Sequence, residues 1–287
     1  MSRVAYVNGR FVPHGEAAVH IEDRGFQFAD GVYEVWAVLG GALSDAEGHF
    51  ERLERSLGEL QIASPMPRAA LEVVLKETVR RNRVREGLVY LQVTRGVAPR
   101  DHAFPKPEVP VSVIVTSHRV DRAAADARAA RGAAVITVPE TRWARCDIKT
   151  VALLPNVLAK QQARAVGAVE AWFVDEMGLV TEGASSNAWI IDKDGAVRTR
   201  DTQANILRGI TRKTLLKVLA REGLKLEERP FSLEEAKEAK EAFITGAGTL
   251  LLPIVSIDGR PVGGGTPGPV AKRLRRLYIE EARRTAI

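Results

Sequence analysis

Short turns constrain this chain more than any other feature. Asn8-Gly9 stands between Tyr6 and Phe11, Gly40-Gly41 follows a strand-like run over residues 32–39, and Glu176-Met177-Gly178 and Lys193-Asp194-Gly195 punctuate two later apolar stretches. Asn-Gly supplies the positive φ values of a two-residue type I′ turn, so the flanking segments must fold back antiparallel. Along 32–39, Tyr33, Val35, Ala37 and Leu39 alternate onto one face and Glu34 onto the other. Residues 88–94, 110–117, 133–138, 171–175, 242–245 and 250–257 also read as strands.

Helical spacing appears in groups between the hairpins. Phe50, Leu53, Leu57 and Leu60 form one stripe, and Leu71, Val74 and Leu75 begin another. Pro155 suits the first turn of a helix to about residue 166, Gly209 opens a helix with Ile210, Leu215, Leu216 and Leu219, and Ser232 with Glu235 forms a capping box. A basic helix closes the chain from about residue 267. Hairpins mixed with grouped helices predict α+β or mixed α/β layers rather than a regular βαβ winding. A length of 287 residues suggests two domains. Residues 117–132 are rich in Ala, Arg and Asp with little apolar patterning, which predicts domains over 1–120 and 133–287 and a linker over 121–132.

Several function classes fall away on composition. Cys146 is the single cysteine, which leaves no disulfide and no cysteine-rich zinc site, and the five histidines show no metal-ligand spacing. The net charge is +6, but the basic residues are scattered and aromatic residues are only 6%, so a solvated surface that draws in small anions is expected, not a nucleic-acid groove. No apolar run reaches the roughly 18 residues of a membrane span, and Met1-Ser2-Arg3 runs directly into a strand, so a cytoplasmic protein is expected. Dinucleotide and Walker A glycine patterns are absent.

Chemistry concentrates at a few positions. Lys149 follows Arg145-Cys146-Asp147-Ile148 and precedes an apolar stretch, where desolvation or nearby cations would free its amine as a nucleophile. Glu182 lies in Thr181-Glu182-Gly183-Ala184-Ser185-Ser186-Asn187, a run of small residues where a carboxylate can hold a ring nitrogen protonated. Leu207-Arg208-Gly209-Ile210-Thr211 sets a glycine and a hydroxyl at a helix start that favours phosphate, and Thr245-Gly246-Ala247-Gly248-Thr249 is a second backbone-exposing loop. Arg100 and His102 offer a guanidinium and an imidazole two residues apart, a carboxylate receptor if the loop faces a cleft. Arg52 falls opposite Phe50, Leu53 and Leu57 on a helical wheel, which predicts a solvated side chain. Taken singly, each also reads as a surface lysine, a turn glutamate, an N-cap or a tight turn.

In order and spacing, these segments together resemble the fold-type IV pyridoxal-phosphate enzymes, most closely the D-amino-acid aminotransferases. The resemblance runs from Asp30-Gly31-Val32-Tyr33-Glu34-Val35 through His49-Phe50-Glu51-Arg52-Leu53, Thr94-Arg95-Gly96, Pro99-Arg100-Asp101-His102 and Asn156-Val157-Leu158-Ala159-Lys160 to Leu207-Arg208-Gly209-Ile210-Thr211. It implies a small α/β N-terminal domain, a larger C-terminal pseudo-barrel domain, and pyridoxal 5′-phosphate carried as a Schiff base on Lys149. It further implies that Glu182 pairs with the pyridinium nitrogen, and that Arg52, Leu207, Ile210, Thr211, Ser185, Gly246 and Ala247 contact the cofactor. Tyr33, Arg100 and His102 would bind the substrate carboxylate, with the last two supplied by the neighbouring subunit of a homodimer. The implied reaction passes an amino group from a D-amino acid to a 2-oxo acid. Branched-chain transaminases, (R)-amine transaminases and aminodeoxychorismate lyases share the lysine and glutamate and differ in the substrate pocket. Where the family often carries hydroxyls in the second phosphate loop, this chain has Gly246-Ala247-Gly248 and a hydroxyl only at Thr249.

Overall fold

The computed structural model describes residues 3–202 and 206–287, so Met1 and Ser2 at the start of the first predicted strand lie outside the described residues. The chain folds as two compact units, Met1–Asp121 with Ile148–Ala152 and Thr285–Ile287, and Arg122–Asp147 with Leu153–Arg284.

The first unit begins with the hairpin β1 (Val4–Val7) and β2 (Arg10–Pro13), turned on Asn8 and Gly9 at φ of 45° and 92°. It continues with α1 (Arg24–Phe28), β3 (Gly31–Leu39), β4 (Ala42–Leu43), α2 (Ala46–Glu59), α3 (Arg68–Arg81), β5 (Glu86–Thr94) and β6 (Ser112–Arg119). The strands form an antiparallel sheet in the order β2-β1-β6-β5-β3-β4. Its core packs Val32, Trp36, Val38, Leu91 and Val115 with Phe50, Leu53 and Leu57 of α2 and Leu71 and Leu75 of α3.

Glu34 therefore lies on the core face of β3, while Tyr33 and Val35 on the opposite face keep partial exposure. A carboxylate buried among apolar groups requires charged partners. Arg52 donates to it from Nε at 2.6 Å and from Nη2 at 2.8 Å, and His49 Nδ1 lies 2.7 Å from Oε2. This pairing explains a departure from the helical wheel: Arg52, expected in solvent, is only 8% exposed. The wheel registers apolar faces and does not register an acid on the strand beneath. Burial pushes the Glu34 carboxyl up, but the charge and hydrogen bonds of Arg52, with those of His49, outweigh it and hold the pKa at about 2.

The second unit contains α4 (Arg122–Arg131), β7 (Ala133–Pro139), α5 (Leu154–Ala165), β8 (Glu170–Val174), β9 (Leu179–Gly183), β10 (Asn187–Ile191), β11 (Val197–Thr199), α6 (Ile210–Arg221), β12 (Leu226–Glu228) and β13 (Phe231–Ser232). After these come α7 (Leu233–Lys237), β14 (Glu241–Gly246), β15 (Leu250–Ile257), β16 (Arg260–Pro261) and α8 (Pro269–Arg284). The segment that reads as a linker is α4, and it belongs to this unit. Alanines favour the helix and Arg128 and Arg131 suit its C-terminus, but Ala129 is its one buried residue, too little to show as an apolar stripe. Conversely, Ile148–Ala152 and Thr285–Ile287, which fall within the second half of the sequence, pack with the first unit.

One ten-stranded mixed sheet dominates this unit, with strands along the path β12-β11-β10-β14-β15-β7-β8-β9-β13 and β16 paired to β15. The two ends of that path, β12 and β13, are joined by only Arg229 and Pro230. Laid flat, eight inter-strand steps would separate them by about 38 Å. The linking chain can span only about 11 Å. The sheet must curl until its ends approach, which is the pseudo-barrel expected of the second half. Val135, Trp172, Ile190, Phe231, Ile244 and Leu252 fill its interior. The capping box at the start of α7 is present, with Ser232 Oγ accepting from Glu235 N at 3.1 Å and Ser232 N donating to Glu235 Oε2 at 2.9 Å.

The lowered pKa of Glu34 sets the sign of an acid effect. Its pKa is lower in the folded chain (about 2) than the ordinary 4.5, so it stabilises the fold above pH 4.5 and loses that contribution as pH falls through 2. Glu34→Gln leaves Arg52 without an anionic partner and is expected to cost about 3 kcal/mol at pH 7. Urea unfolding from pH 7 to pH 2 would check this, with a flatter acid limb in the variant; a parent-like midpoint at pH 7 would refute it.

Candidate active site

Lys149 is fixed by its neighbours on both sides. Val32 of β3 pairs with Thr150 in an antiparallel bridge, Tyr33 N donates to Lys149 O at 3.0 Å, and Val151 N donates to Gly31 O at 3.1 Å. Ile148 and Thr150 are buried, and Lys149 N donates to Ser56 Oγ of α2 at 3.3 Å. Strand alternation then turns the half-buried Lys149 side chain to the face that carries Tyr33, with Nζ 4.2 Å from the centre of the Tyr33 ring. Tyr33 stacks on Tyr90 at 5.7 Å, and Tyr90 donates from its hydroxyl to Gln92 Oε1 at 2.8 Å. Burial, with Tyr33 beside it, pushes the Tyr90 phenol up to about 12, so the group next to Tyr33 stays neutral.

Arg100 and His102 are exposed in the segment between β5 and β6. They share one aromatic partner, Phe28 of α1, whose ring centre lies 5.2 Å from Arg100 Cζ and 5.3 Å from the His102 ring. The fold thus brings these two together, while Tyr33 packs with Lys149 and Tyr90.

In the second unit Glu182, at the end of β9, is 4% exposed. Arg142 Nη1 donates to its Oε1, Asn187 Nδ2 to its Oε2 at 3.1 Å, and Leu207 N to both oxygens at 3.2 Å. Arg142 is divided between two carboxylates, since it also binds Glu140 at 2.9 Å and 2.6 Å. Burial raises the Glu182 pKa and exceeds the lowering by Arg142 and the Leu207 amide, so the net shift is upward.

The other expected cofactor contacts lie around the same strand ends. Asn187 Nδ2 also donates to Leu207 O at 3.1 Å, and a Cβ on Gly209 would fall 1.9 Å from Asn187 Oδ1, so no side chain fits there. Gly209 caps α6 without a side-chain hydrogen bond, which leaves backbone N–H groups at Ile210 and Thr211 directed out of the first turn. Ser185 is exposed and tied by N and Oγ to the buried Glu170 at 3.2 Å and 2.7 Å. A Cβ on Gly246 would meet Ser185 O at 3.1 Å and Thr249 Oγ1 at 3.5 Å, so this loop, with Ala247 next to Gly246, lies against the Ser185 backbone. Thr249 Oγ1 is buried and has no partner among the described residues. Glycine backbone, an uncapped helix start and an orphaned hydroxyl suit a bound phosphate.

Sequence reasoning assigned no role to Arg142, Asn187, Glu34 or His49. The available signal was the cost of burying Glu34 and Glu182, since each acid demands a cation or amide that must come from somewhere in the chain.

The family profile described as Amino-transferase class IV matches residues 31–257. The chain is 41% identical over 279 residues to the D-alanine aminotransferase of Staphylococcus haemolyticus, covering 96% of this chain and 97% of that protein. It is also 41% identical to the D-alanine aminotransferase of Bacillus licheniformis, covering 93% of each. Among solved structures, a branched-chain amino acid aminotransferase with pyridoxamine 5′-phosphate, its source abbreviated T.th., superposes with a TM-score of 0.90 at 28% identity, covering 99% of this chain and 95% of that one. An Escherichia coli branched-chain amino acid aminotransferase shares the fold at a TM-score of 0.89 and 22% identity, covering 98% of this chain and 95% of that one. A curled mixed sheet with a fixed lysine, a buried glutamate and an open helix start is thus the architecture of a known group, and the chain belongs to the class IV aminotransferase family.

Proposed function

We propose that this chain is a pyridoxal-phosphate-dependent transaminase of D-amino acids, passing the amino group of donors such as D-alanine to 2-oxoglutarate and working as a cytoplasmic homodimer. The observation that carries this reading is the 41% identity along 96% of the chain to a D-alanine aminotransferase, against 28% to the branched-chain enzyme solved with pyridoxamine 5′-phosphate. Among the described residues no helix is long and apolar enough to cross a membrane.

The residues present fit the cofactor. The uncapped α6 start at Ile210 and Thr211, the glycine loop at Gly246 and Ala247, Ser185 and the orphaned Thr249 hydroxyl suit its phosphate, with Leu207 at the same strand ends. Arg52, already paired with Glu34, completes the phosphate contacts in this reading. Pyridoxal 5′-phosphate, when bound, supplies an aldehyde for the amino group and a ring that accepts the electron pair left on Cα. Lys149 Nζ anchors it and, once displaced by the substrate amine, takes the proton from Cα. Its seat between two buried neighbours limits the positions from which it can do so. Glu182 holds a proton on the ring nitrogen, and Arg142 keeps that carboxylate ionised. Arg100 and His102, supplied in trans, and Tyr33 bind the substrate carboxylate.

Lys149→Ala is expected to abolish transamination and the borohydride-reducible attachment; a retained covalent adduct would exclude Lys149. Arg142→Met removes the cation that lowers the Glu182 pKa, so that carboxyl should shift further up. Both Arg142→Met and Glu182→Gln should slow turnover about a hundredfold with cofactor retained. Parent-like turnover in the two variants would make Glu182 a turn residue. The substrate class is tested with D- and L-alanine against 2-oxoglutarate. Arg100→Ala should raise KM for D-alanine at least about tenfold while the visible cofactor band persists. A preference for L-alanine would replace this reading with a branched-chain transaminase.

A further inference from the structure

Two buried arginines that the chemistry above does not use hold the loop that carries Arg100 and His102. Arg24 is 3% and Arg95 8% exposed, and both bind Asp30. Arg24 Nε donates to Oδ2 at 2.8 Å, and Arg95 donates from Nε to Oδ2 at 2.8 Å and from Nη2 to Oδ1 at 3.0 Å. One carboxylate cannot neutralise two guanidinium groups, so the remaining donors seek carbonyl oxygens. Those of Arg95 go to Leu60 O at 2.7 Å and Gln61 O at 2.9 Å. Those of Arg24 go to the loop itself, from Nη1 to Asp101 O at 2.6 Å and from Nη2 to His102 O at 3.3 Å.

The helix that presents Arg24 is itself tightly seated. Asp23 caps α1 by accepting from Gly25 N at 2.9 Å and also accepts from Thr94 Oγ1 at 2.9 Å. A Cβ on Gly25 would lie 2.2 Å from Thr94 Cγ2, so α1 rests directly on the end of β5. Phe28 stands one turn after Arg24, with its ring centre 4.9 Å from Arg24 Cζ, and is the ring that Arg100 and His102 share.

We infer that Arg24, anchored on Asp30 and assisted by Phe28, is the positioning residue for the Arg100 and His102 carboxylate receptor. It holds the main chain at residues 101 and 102 and so fixes the direction in which the two side chains leave an otherwise exposed loop. A guanidinium does this because its planar fork reaches the Asp30 carboxylate and two carbonyls at once, which a lysine ammonium on a flexible stem does not. The inference rests on the transaminase reading and on the role given there to Arg100.

The test uses the holoenzyme with D-alanine and 2-oxoglutarate and compares Arg24→Lys, Phe28→Leu, Arg100→Ala and the Arg24→Lys/Arg100→Ala double variant. Arg24→Lys keeps a charge beside Asp30 but loses the grip on the loop, so KM for D-alanine should rise about tenfold, with kcat within about threefold of the parent. Its cofactor band and thermal midpoint should stay close to the parent's. In the Arg100→Ala background the same change should add less than about twofold, because the group that Arg24 positions is gone. Should Arg24→Lys fail to fold, Phe28→Leu decides, with a rise in KM expected and a parent-like KM counting against the inference. A parent-like KM in folded Arg24→Lys, or an equal effect in both backgrounds, would overturn it while leaving the transaminase reading intact. An unchanged KM in Arg100→Ala would instead remove the carboxylate receptor, and this inference with it.

Discussion

The two residues between β12 and β13 impose the closure on which the second unit depends. A nine-strand path whose ends must meet across Arg229-Pro230 cannot stay flat, and the same curl lets β9 pass to β10 through only residues 184–186. Their inner faces fill with Trp172, Phe231 and Ile244. At the end where β9, β10, β14 and β15 turn, the backbone runs close-packed, as the clash distances at Gly209 and Gly246 record. Small residues there satisfy the sheet geometry first, and in doing so they expose amide groups that can receive an anion.

Buried carboxylates recur in both units and differ in a way that separates anchoring from chemistry. Glu34 has two hydrogen bonds from Arg52 and a histidine beside it, enough to overcome desolvation, so it stays ionised under any mild condition. Glu182 shares Arg142 with Glu140, and burial wins. An acid whose cation is shared responds more strongly to a new positive partner such as a protonated ring nitrogen. Replacing a buried ion pair with apolar groups is often nearly neutral for stability, so the pairs are better understood as devices for position than as sources of stability.

Much of this was legible in the sequence because hairpin turns, helix starts and the Ser232–Glu235 capping box are local signals. Asn8-Gly9 specifies its turn by positive φ alone, and Gly209 marks the start of α6. Partner-dependent features were not legible. Arg52 is buried because Glu34 lies on the core face of β3, a fact about another segment, and the alternation along 32–39 did not say which face was inward. The helix α4 escaped notice with one buried residue, and no periodicity could assign Ile148–Ala152 to the first unit, since its place is set by pairing with β3. The order of the motifs singled out Lys149 and Glu182 while leaving Arg142 and Arg24 unread, because their importance lies in the carboxylates they meet after folding.

The site residues sit on two kinds of support. Lys149 is locked to β3 by a bridge and two flanking backbone bonds, and Glu182 ends a strand, so the groups assigned to proton movement inherit the rigidity of the sheets. Arg100 and His102 stand on an exposed loop, where side-chain directions are ordinarily loose. A loop can match a strand in precision only if its main chain is held at points close to the working side chains. Arg24 meets that requirement, because its contacts fall on the carbonyls of residues 101 and 102, at and beside the histidine and directly after the arginine. Loop length and side-chain identity can then change what substrate is recognised without disturbing the strands that carry Lys149 and Glu182, provided the Asp30 cluster keeps its hold.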